Sequence, residues 1–469
     1  MSYIGKMTDK KRTLIFINIL ISCIASSMLA TALTTALPPI MEDLQISVTT
    51  GQWLTSGYSL AMGIMMPLTA FLITRFPTKN LYLAGMGLFI AGLAVCVIAP
   101  GFYVMMCGRI LQACGNGILT SMAQVILLTI YPIEKKGTVM GWYGLSVGAA
   151  PVIAPTLAGV LVDAFGWRMI FYAAIAIMAA AFVFALFVFE NVLDTMEQKF
   201  DAISFVLSAF AFGGITLGVG NISSGSFLSI QVLAPLLIGG IASGFFIKRQ
   251  LGSEEPFLEL RILGSRDYAL SVIGSMFLYL VMMGSSIIMP LYVQSIMGCS
   301  ATVSGLVTLP GSLAMAVISP FAGRIYDRVG MKKLFVAGAV LMLVSNVGMV
   351  FLNMQSSVWL ASFYNVLRCL AIGCLMMPLV TWGISGINEG LTAHGTALLT
   401  SLRTIAGAIG SAVFVGVMTV VADGSAAEYG GNAPIHGLNV AFAAMSAVTV
   451  VLLAISVFFV KDKKMQAGS

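Results

Sequence analysis

Charge is scarce in this chain. Only 9% of its 469 residues are Asp, Glu, Lys or Arg, and it has two histidines. That scarcity excludes a soluble domain: 59% of the residues are hydrophobic and mean hydropathy is +1.00. Apolar segments of about 20 residues, the length that crosses a bilayer as a helix, recur along the chain. In lipid the backbone must satisfy its own amides, so such segments are helices. A cleavable leader is also lacking. Residues 2–13 are polar and basic, but the apolar run after them is too long for a signal segment and has no cleavage site. Cys23, Cys96, Cys107, Cys114, Cys299, Cys369 and Cys374 are scattered without metal-ligand spacing, and all but Cys299 fall in apolar segments. They read as small buried apolar residues, so no metal site is expected. The sequence shows no nucleophile–base pair, and its loops are too short for a catalytic domain. No phosphate-binding glycine loop with Lys-Ser or Lys-Thr is present, which argues against a primary pump. His394 and His436 fall at predicted loop ends, where a proton relay is the weaker reading.

The charge that exists is placed with a bias. Of 24 Lys and Arg, Arg109, Arg368 and Arg403 lie inside predicted helices and Arg168 lies in an odd-numbered loop; all the others lie in the termini and even-numbered loops. This asymmetry puts both termini in the cytoplasm. The net charge of +6 therefore sets topology, and no nucleic-acid partner is expected.

Hydropathy predicts an all-α polytopic membrane protein with fourteen spans, roughly 14–37, 52–74, 81–99, 102–130, 137–162, 168–189, 201–220, 229–248, 268–294, 303–323, 334–352, 358–386, 394–421 and 438–460. Residues 422–437, rich in Gly and Ala and free of Lys and Arg, read as the longest external loop. The stretch 323–333 holds Gly323, Asp327, Arg328, Gly330, Lys332 and Lys333 and reads as a tight loop between two helices. A damaged copy lies 253 residues earlier. Residues 58–85 align without gaps on 311–338 with 10 of 28 positions identical, among them Pro67 on Pro320 and Arg75 on Arg328. Such a repeat fixes the architecture. It predicts a six-helix half over 1–190, a linker with two inserted helices over 191–260, and a second six-helix half over 261–469. Two parallel six-helix halves describe a rocking transporter, and no re-entrant channel filter is visible.

Several helix faces carry chemistry. In the fourth helix Arg109, Gln112, Asn116, Thr120 and Gln124 share one face. A cation at membrane depth costs at least ~2.5–3.5 kcal/mol, so Arg109 with Gln112 is expected to face a cavity. Gln124 alone reads as hydrogen-bond glue between helices. In the fifth helix Gly137, Gly141, Gly144, Gly148, Pro151, Pro155 and Gly159 form one small face, suited to close packing at a seam that opens and closes. Arg403, with Thr396 and Thr400, and Arg368 are buried cations without an acid nearby in sequence; a structural and a functional role stay open for both. Thr34 and Tyr58 are candidate cavity residues. Trp53 is either a cavity lining or an interfacial anchor. The 30 methionines suit an adaptable apolar cavity, although most will pack or face lipid. Glu42 and Asp43 read as a solvated turn.

At these residues the chain resembles the major facilitator superfamily, and within it the fourteen-helix drug:proton antiporters of the QacA/EmrB-like branch, closest in pattern to the lincomycin-resistance type. Gly323-x-x-x-Asp327-Arg328-x-Gly330-x-Lys332-Lys333 matches the family's loop motif, and Arg109-x-x-Gln112-x-x-Gly115 its fourth-helix motif. The Gly-Pro face of the fifth helix resembles the antiporter motif. Ala36, Leu37 and Pro38, then Gly166, Trp167 and Arg168, and Arg403 with Gly407 fit as well. The chain departs from the family pattern where that branch often carries an acid, which falls here on Leu29. The first-half loop has Thr74 for the Asp and Pro77 for the second Gly.

The resemblance implies a proton-coupled efflux antiporter that exports hydrophobic or amphiphilic compounds by alternating access. It implies a bacterial cytoplasmic membrane, a monomer, membrane lipid as surroundings, protons and a small amphiphile as partners, and no cofactor beyond the proton gradient. A dedicated exporter or flippase of one metabolite or lipid is the alternative, and a membrane enzyme or sensor the more distant one. No Asp or Glu lies deep in a first-half helix. Asp163, near the outer end of the fifth helix, is therefore the candidate proton site, with a surface turn as the competing reading. Three buried arginines and no deep acid suit neutral, zwitterionic or anionic amphiphiles better than dicationic dyes.

Overall fold

A computed structural model describes residues 7–193, 195, 200–221, 229–299 and 301–461. Among them the chain is helical and forms no strand. Its fourteen long helices are α1 (Asp9–Asp43), α2 (Val48–Arg75), α3 (Thr78–Ile98), α4 (Phe102–Ile130), α5 (Ile133–Phe165), α6 (Arg168–Val188), α7 (Ala202–Gly220), α8 (Ile230–Gly252), α9 (Arg266–Leu291), α10 (Ala301–Val329), α11 (Met331–Val350), α12 (Val358–Ser385), α13 (Thr392–Gly424) and α14 (Ala433–Ala454). Among the described residues, 13 spans are long and apolar enough to cross a membrane. α5, 33 residues long, is also long enough to cross. Side-chain oxygens of Ser47, Asp201 and Ser357 satisfy free amides at the starts of α2, α7 and α12.

The duplication survives in three dimensions. α2 and α10 begin 253 residues apart, at Val48 and Ala301, and so do α3 and α11, at Thr78 and Met331. One buried apolar cluster is built mainly from α1–α6 and another mainly from α9–α14. α7 and α8 pair through Gly214, Gly218 and Gly239, whose missing side chains admit the partner backbone. At the basic end, Phe71 of α2, Phe200, Phe205 of α7 and Phe257 form a ring cluster that joins α2, α7 and the approach to α9.

Three expectations need correction. The stretch 323–333 is not a loop. α10 stays helical through Val329, α11 starts at Met331, and the turn is Gly330 alone at φ 82°. Glycine takes that left-handed conformation freely, so one residue suffices. Residues 422–437 are mostly helical as well. α13 runs to Gly424, a short helix spans Ala426–Tyr429, and α14 starts at Ala433. The Gly and Ala content that lowers hydropathy there does not prevent a helix. Gly437 lies directly on the Met418 carbonyl, which seats α14 against α13. Finally, α1 continues through Pro38 and Pro39 to Asp43.

Candidate functional site

The α4 face lies inside the first half. Arg109, 1% exposed, donates from Nε to the Leu54 carbonyl (3.0 Å) and from Nη1 to Gln112 Oε1 (2.6 Å). Its guanidinium carbon stands 4.1 Å from the centre of the Tyr58 ring, a cation–π contact. Asn116 donates to the Tyr58 hydroxyl (2.8 Å), and Gln112 donates to Cys96 Sγ (3.2 Å). Arg109, Gln112, Asn116 and Tyr58 are thus one buried network, and no carboxylate pairs with Arg109 among the described residues. Each hydrogen bond to a charged group contributes about 1.5–3 kcal/mol, which sets against the cost of burying the cation. Trp53 is 42% exposed and stays outside this network. The side chain of Thr34 lies outside the described residues.

The other two arginines occupy separate sites. Arg368 on α12 donates from Nη2 to Asn365, while its Nη1 has no hydrogen-bond partner, and Phe442 of α14 lies 5.9 Å from the guanidinium. Arg403 on α13 stands 4.9 Å from the centre of the Tyr279 ring of α9, and its Nε and Nη1 are both without partners. α13, the helix that carries Arg403, packs against α2 and α4 of the other half.

The seam between the halves is built from α5 and α10. The backbone of Gly137 lies directly against Gly323. A Cβ on Gly141 would meet the Ser319 carbonyl at 2.5 Å, one on Gly144 would meet Met377 Cγ at 2.7 Å, and one on Gly148 would meet Met315 Cε at 2.9 Å. One helical turn past Gly323, Asp327 reaches across. Its Oδ1 accepts from Gly137 N (2.9 Å), and its Oδ2 accepts from Thr138 N (2.7 Å) and Thr138 Oγ1 (2.6 Å). Those amides lie near the start of α5, where the helix dipole favours an anion. Farther along the same face, a Cβ on Gly159 would meet nothing within 4 Å among the described residues. The side chains of Pro151 and Pro155 lie outside the described residues. Arg75, Arg328 and Lys333 are exposed and Lys332 is half-buried at the basic end. Asp163 is exposed and makes no ion pair among the described residues, so nothing joins it to the buried arginines.

The sequence reading missed two partnerships. Asp43 is no free solvated turn: its Oδ2 accepts from Arg168 Nη1 (2.8 Å) and Trp167 Nε1 (3.1 Å), tying the end of α1 to the start of α6. Hydrogen bonds from Arg168 and then Trp167 hold its carboxyl below the usual range. His394, far from a relay chain, is buried and accepts the Glu259 amide at Nδ1 (3.3 Å). Both are pairings between residues more than 100 positions apart, and local pattern carries no such signal.

Two six-helix bundles around a glycine-lined seam, with buried arginines and an inserted helix pair, define a multi-pass membrane transporter rather than an enzyme. The chain belongs to the Major Facilitator Superfamily, whose model matches residues 15–411. It is 36% identical over 435 residues to the uncharacterised MFS-type transporter YcnB of Bacillus subtilis, covering 92% of each chain. It is 33% identical over 408 residues to the lincomycin resistance protein LmrB of the same organism, covering 86% of this chain and 85% of that one. A crystal structure of the human organic anion transporter MFSD10 superimposes with a TM-score of 0.69 at 13% identity, over 96% of this chain and 100% of that one. At that identity the likeness concerns the fold alone.

Proposed function

We propose that this protein is a proton-driven antiporter that exports hydrophobic or amphiphilic compounds from a bacterial cytoplasm by alternating access, as a monomer with both termini inside and no cofactor. The observation that carries the reading is the clamp between the halves at the basic end. There Asp327 of α10 holds the backbone of α5 at Gly137 and Thr138. A clamp that joins the halves at the basic end suits one closed state of a rocking cycle. The likeness to lincomycin and multidrug resistance proteins points the cargo toward drug-like amphiphiles. One proton moving inward down ~100 mV supplies ~2.3 kcal/mol, enough for at most about 50-fold accumulation.

The test is uptake into everted membrane vesicles of N-phenyl-1-naphthylamine, a neutral amphiphile, under an imposed proton gradient. Uptake that an uncoupler abolishes, with proton release on addition of the probe, is expected. Uptake that persists with the gradient collapsed would remove proton coupling. A failure to move any amphiphile in a panel would favour a dedicated exporter.

A further inference from the structure

The three buried arginines differ in what they still have to offer. Arg109 spends Nε on Leu54 and Nη1 on Gln112 and lies on Tyr58. Arg368 spends one nitrogen on Asn365. Arg403 has both Nε and Nη1 without partners while only 5% exposed. On the same face of α13, seven and three residues before it, Thr396 (0% exposed) and Thr400 (3%) also have hydroxyls without partners. α13 packs against α2 and α4 of the opposite half, and Gln124 of α4, 1% exposed, leaves its Oε1 without a partner. Buried polar groups are nearly always hydrogen-bonded, and a buried cation without a counter-charge is expensive. Arg403 lies eleven residues into α13, about 16 Å along its axis, near the middle of a core ~30 Å thick.

We infer that Arg403, Thr400 and Thr396 form an anion-binding site between the halves, and that it holds the acidic headgroup, a carboxylate or sulfonate, of an amphiphilic substrate whose apolar body lies in the cavity. As a statement about substrate this rests on the exporter reading; as a statement about a site it does not. The guanidinium offers two open donors, the hydroxyls offer two more, and the ligand's charge supplies the missing counter-ion. Tyr279 is the aromatic wall beside the guanidinium, and no Asp or Glu pairs with Arg403 among the described residues. Arg109, with Nε and Nη1 already bonded within its own half, has less to offer a ligand than Arg403.

The experiment uses two probes with one aromatic skeleton: 1-anilinonaphthalene-8-sulfonate and its neutral relative N-phenyl-1-naphthylamine. Binding to the full chain in nanodiscs is measured against protein-free discs. The wild type is expected to prefer the sulfonate. Arg403→Gln is expected to weaken sulfonate binding about 10- to 100-fold and to leave the neutral probe unchanged, with Thr400→Val intermediate and Arg403→Lys recovering part of the loss. A wild type without preference for the sulfonate overturns the proposal whatever the variants do. So does an Arg403→Gln protein that binds both probes as the wild type does. If the wild type is stabilised against heat by inorganic sulfate through Arg403 while sulfonate binding ignores that residue, the site holds a free ion and the substrate claim falls. Binding is read without a proton gradient, so a protein that binds as expected but fails the vesicle test keeps this site and loses only the proton-coupled reading.

Discussion

The hairpins α2–α3 and α10–α11 descend from one duplicated sequence, yet they are fastened to different things. The first, although α2 also packs against α13 of the other half, makes its hydrogen bonds within its own half. Lys79 donates to the Leu186 carbonyl at the end of α6 (2.7 Å), and Thr78 Oγ1 accepts from Val192 N (3.3 Å) and Leu193 N (3.1 Å). The second reaches into the other half, where Asp327 holds the backbone of α5. Three substitutions account for the difference. Thr74 stands where Asp327 stands in the copy, and its hydroxyl donates to the Ala70 and Phe71 carbonyls of its own helix. Ala70 stands in place of Gly323, which removes the close backbone approach. Pro77 stands in place of Gly330, which replaces a left-handed turn with an extended one. Duplication gave two equal hairpins, and divergence made one a brace and the other a latch.

The largest test is at the latch. Asp327→Ala removes three hydrogen bonds to a half-buried carboxylate. Discounted for partial exposure, that is about 3 kcal/mol, or roughly 100-fold in the balance between seam closed and seam open. Initial export rates in everted vesicles are expected to fall about tenfold or more, whereas Thr74→Ala changes them less than about twofold, since it loses a bond within one helix. Equal losses in the two variants would abolish the distinction between brace and latch.

A steric version follows. Gly323→Ala places a methyl on the Gly137 carbonyl, a backbone atom that cannot swing aside, so α5 and α10 must part. A cysteine pair across the seam, at Thr138 and Arg324, should then cross-link more slowly. The reciprocal change, Ala70→Gly, opens no contact between halves and costs about 1 kcal/mol of helix stability. Export by Ala70→Gly should stay near wild type. Cross-linking unchanged by Gly323→Ala would show that the seam does not depend on that approach.

These pairs also mark where sequence was informative. Fourteen spans follow from the hydropathy pattern because each must bury its own backbone. The ungapped repeat located α3 and α11, which start the same 253 residues apart. The polar spacing puts Arg109, Gln112 and Asn116 on one face of α4, and all three are buried. The partners of those residues were not legible. Asp327 meets Gly137 and Thr138 about 190 positions away, Asp43 meets Arg168 125 positions away, and Arg109 meets a main-chain carbonyl, which no side-chain pattern can announce. The loop expected at 323–333 failed for a related reason: charged residues at the end of a span lower hydropathy without ending the helix, and only Gly330 does that.

The arginines extend the contrast between the halves. Arg109→Gln strips Leu54 of its donor and Tyr58 of its cation, so it should destabilise by about 1–3 kcal/mol and impair export. Arg368→Gln loses one bond to Asn365 and should lower the melting temperature less. Thermal unfolding with export measured in parallel separates the two effects. Normal export by Arg109→Gln would sink the assignment of α4 to the working part of the protein.

The smallest effects belong to carboxylates that stay within one unit. Asp201 joins α7 to α8, accepting from Arg249 Nε (2.9 Å) and Nη2 (3.0 Å) and from Ser204. Its partial burial pushes the carboxyl up, but bonds from Arg249 and Ser204 outweigh that and hold it at about 2. The sign follows from linkage. A carboxyl depressed from its ordinary ~3.9 stabilises the fold above that value and loses the contribution as pH falls toward 2. Asp43 has the same sign through Arg168 and Trp167. The Asp201 and Arg249 side chains are 24% and 42% exposed, so solvent screens the pair to less than about 1 kcal/mol. Asp201→Asn should therefore flatten the stability profile between about pH 4 and 2 and leave export at neutral pH unchanged. Only the carboxylate that crosses between halves should couple to transport. A transport defect in Asp201→Asn as large as that of Asp327→Ala would mean that the inserted pair α7–α8 takes part in the rocking motion, and that crossing the seam is not what makes Asp327 a latch.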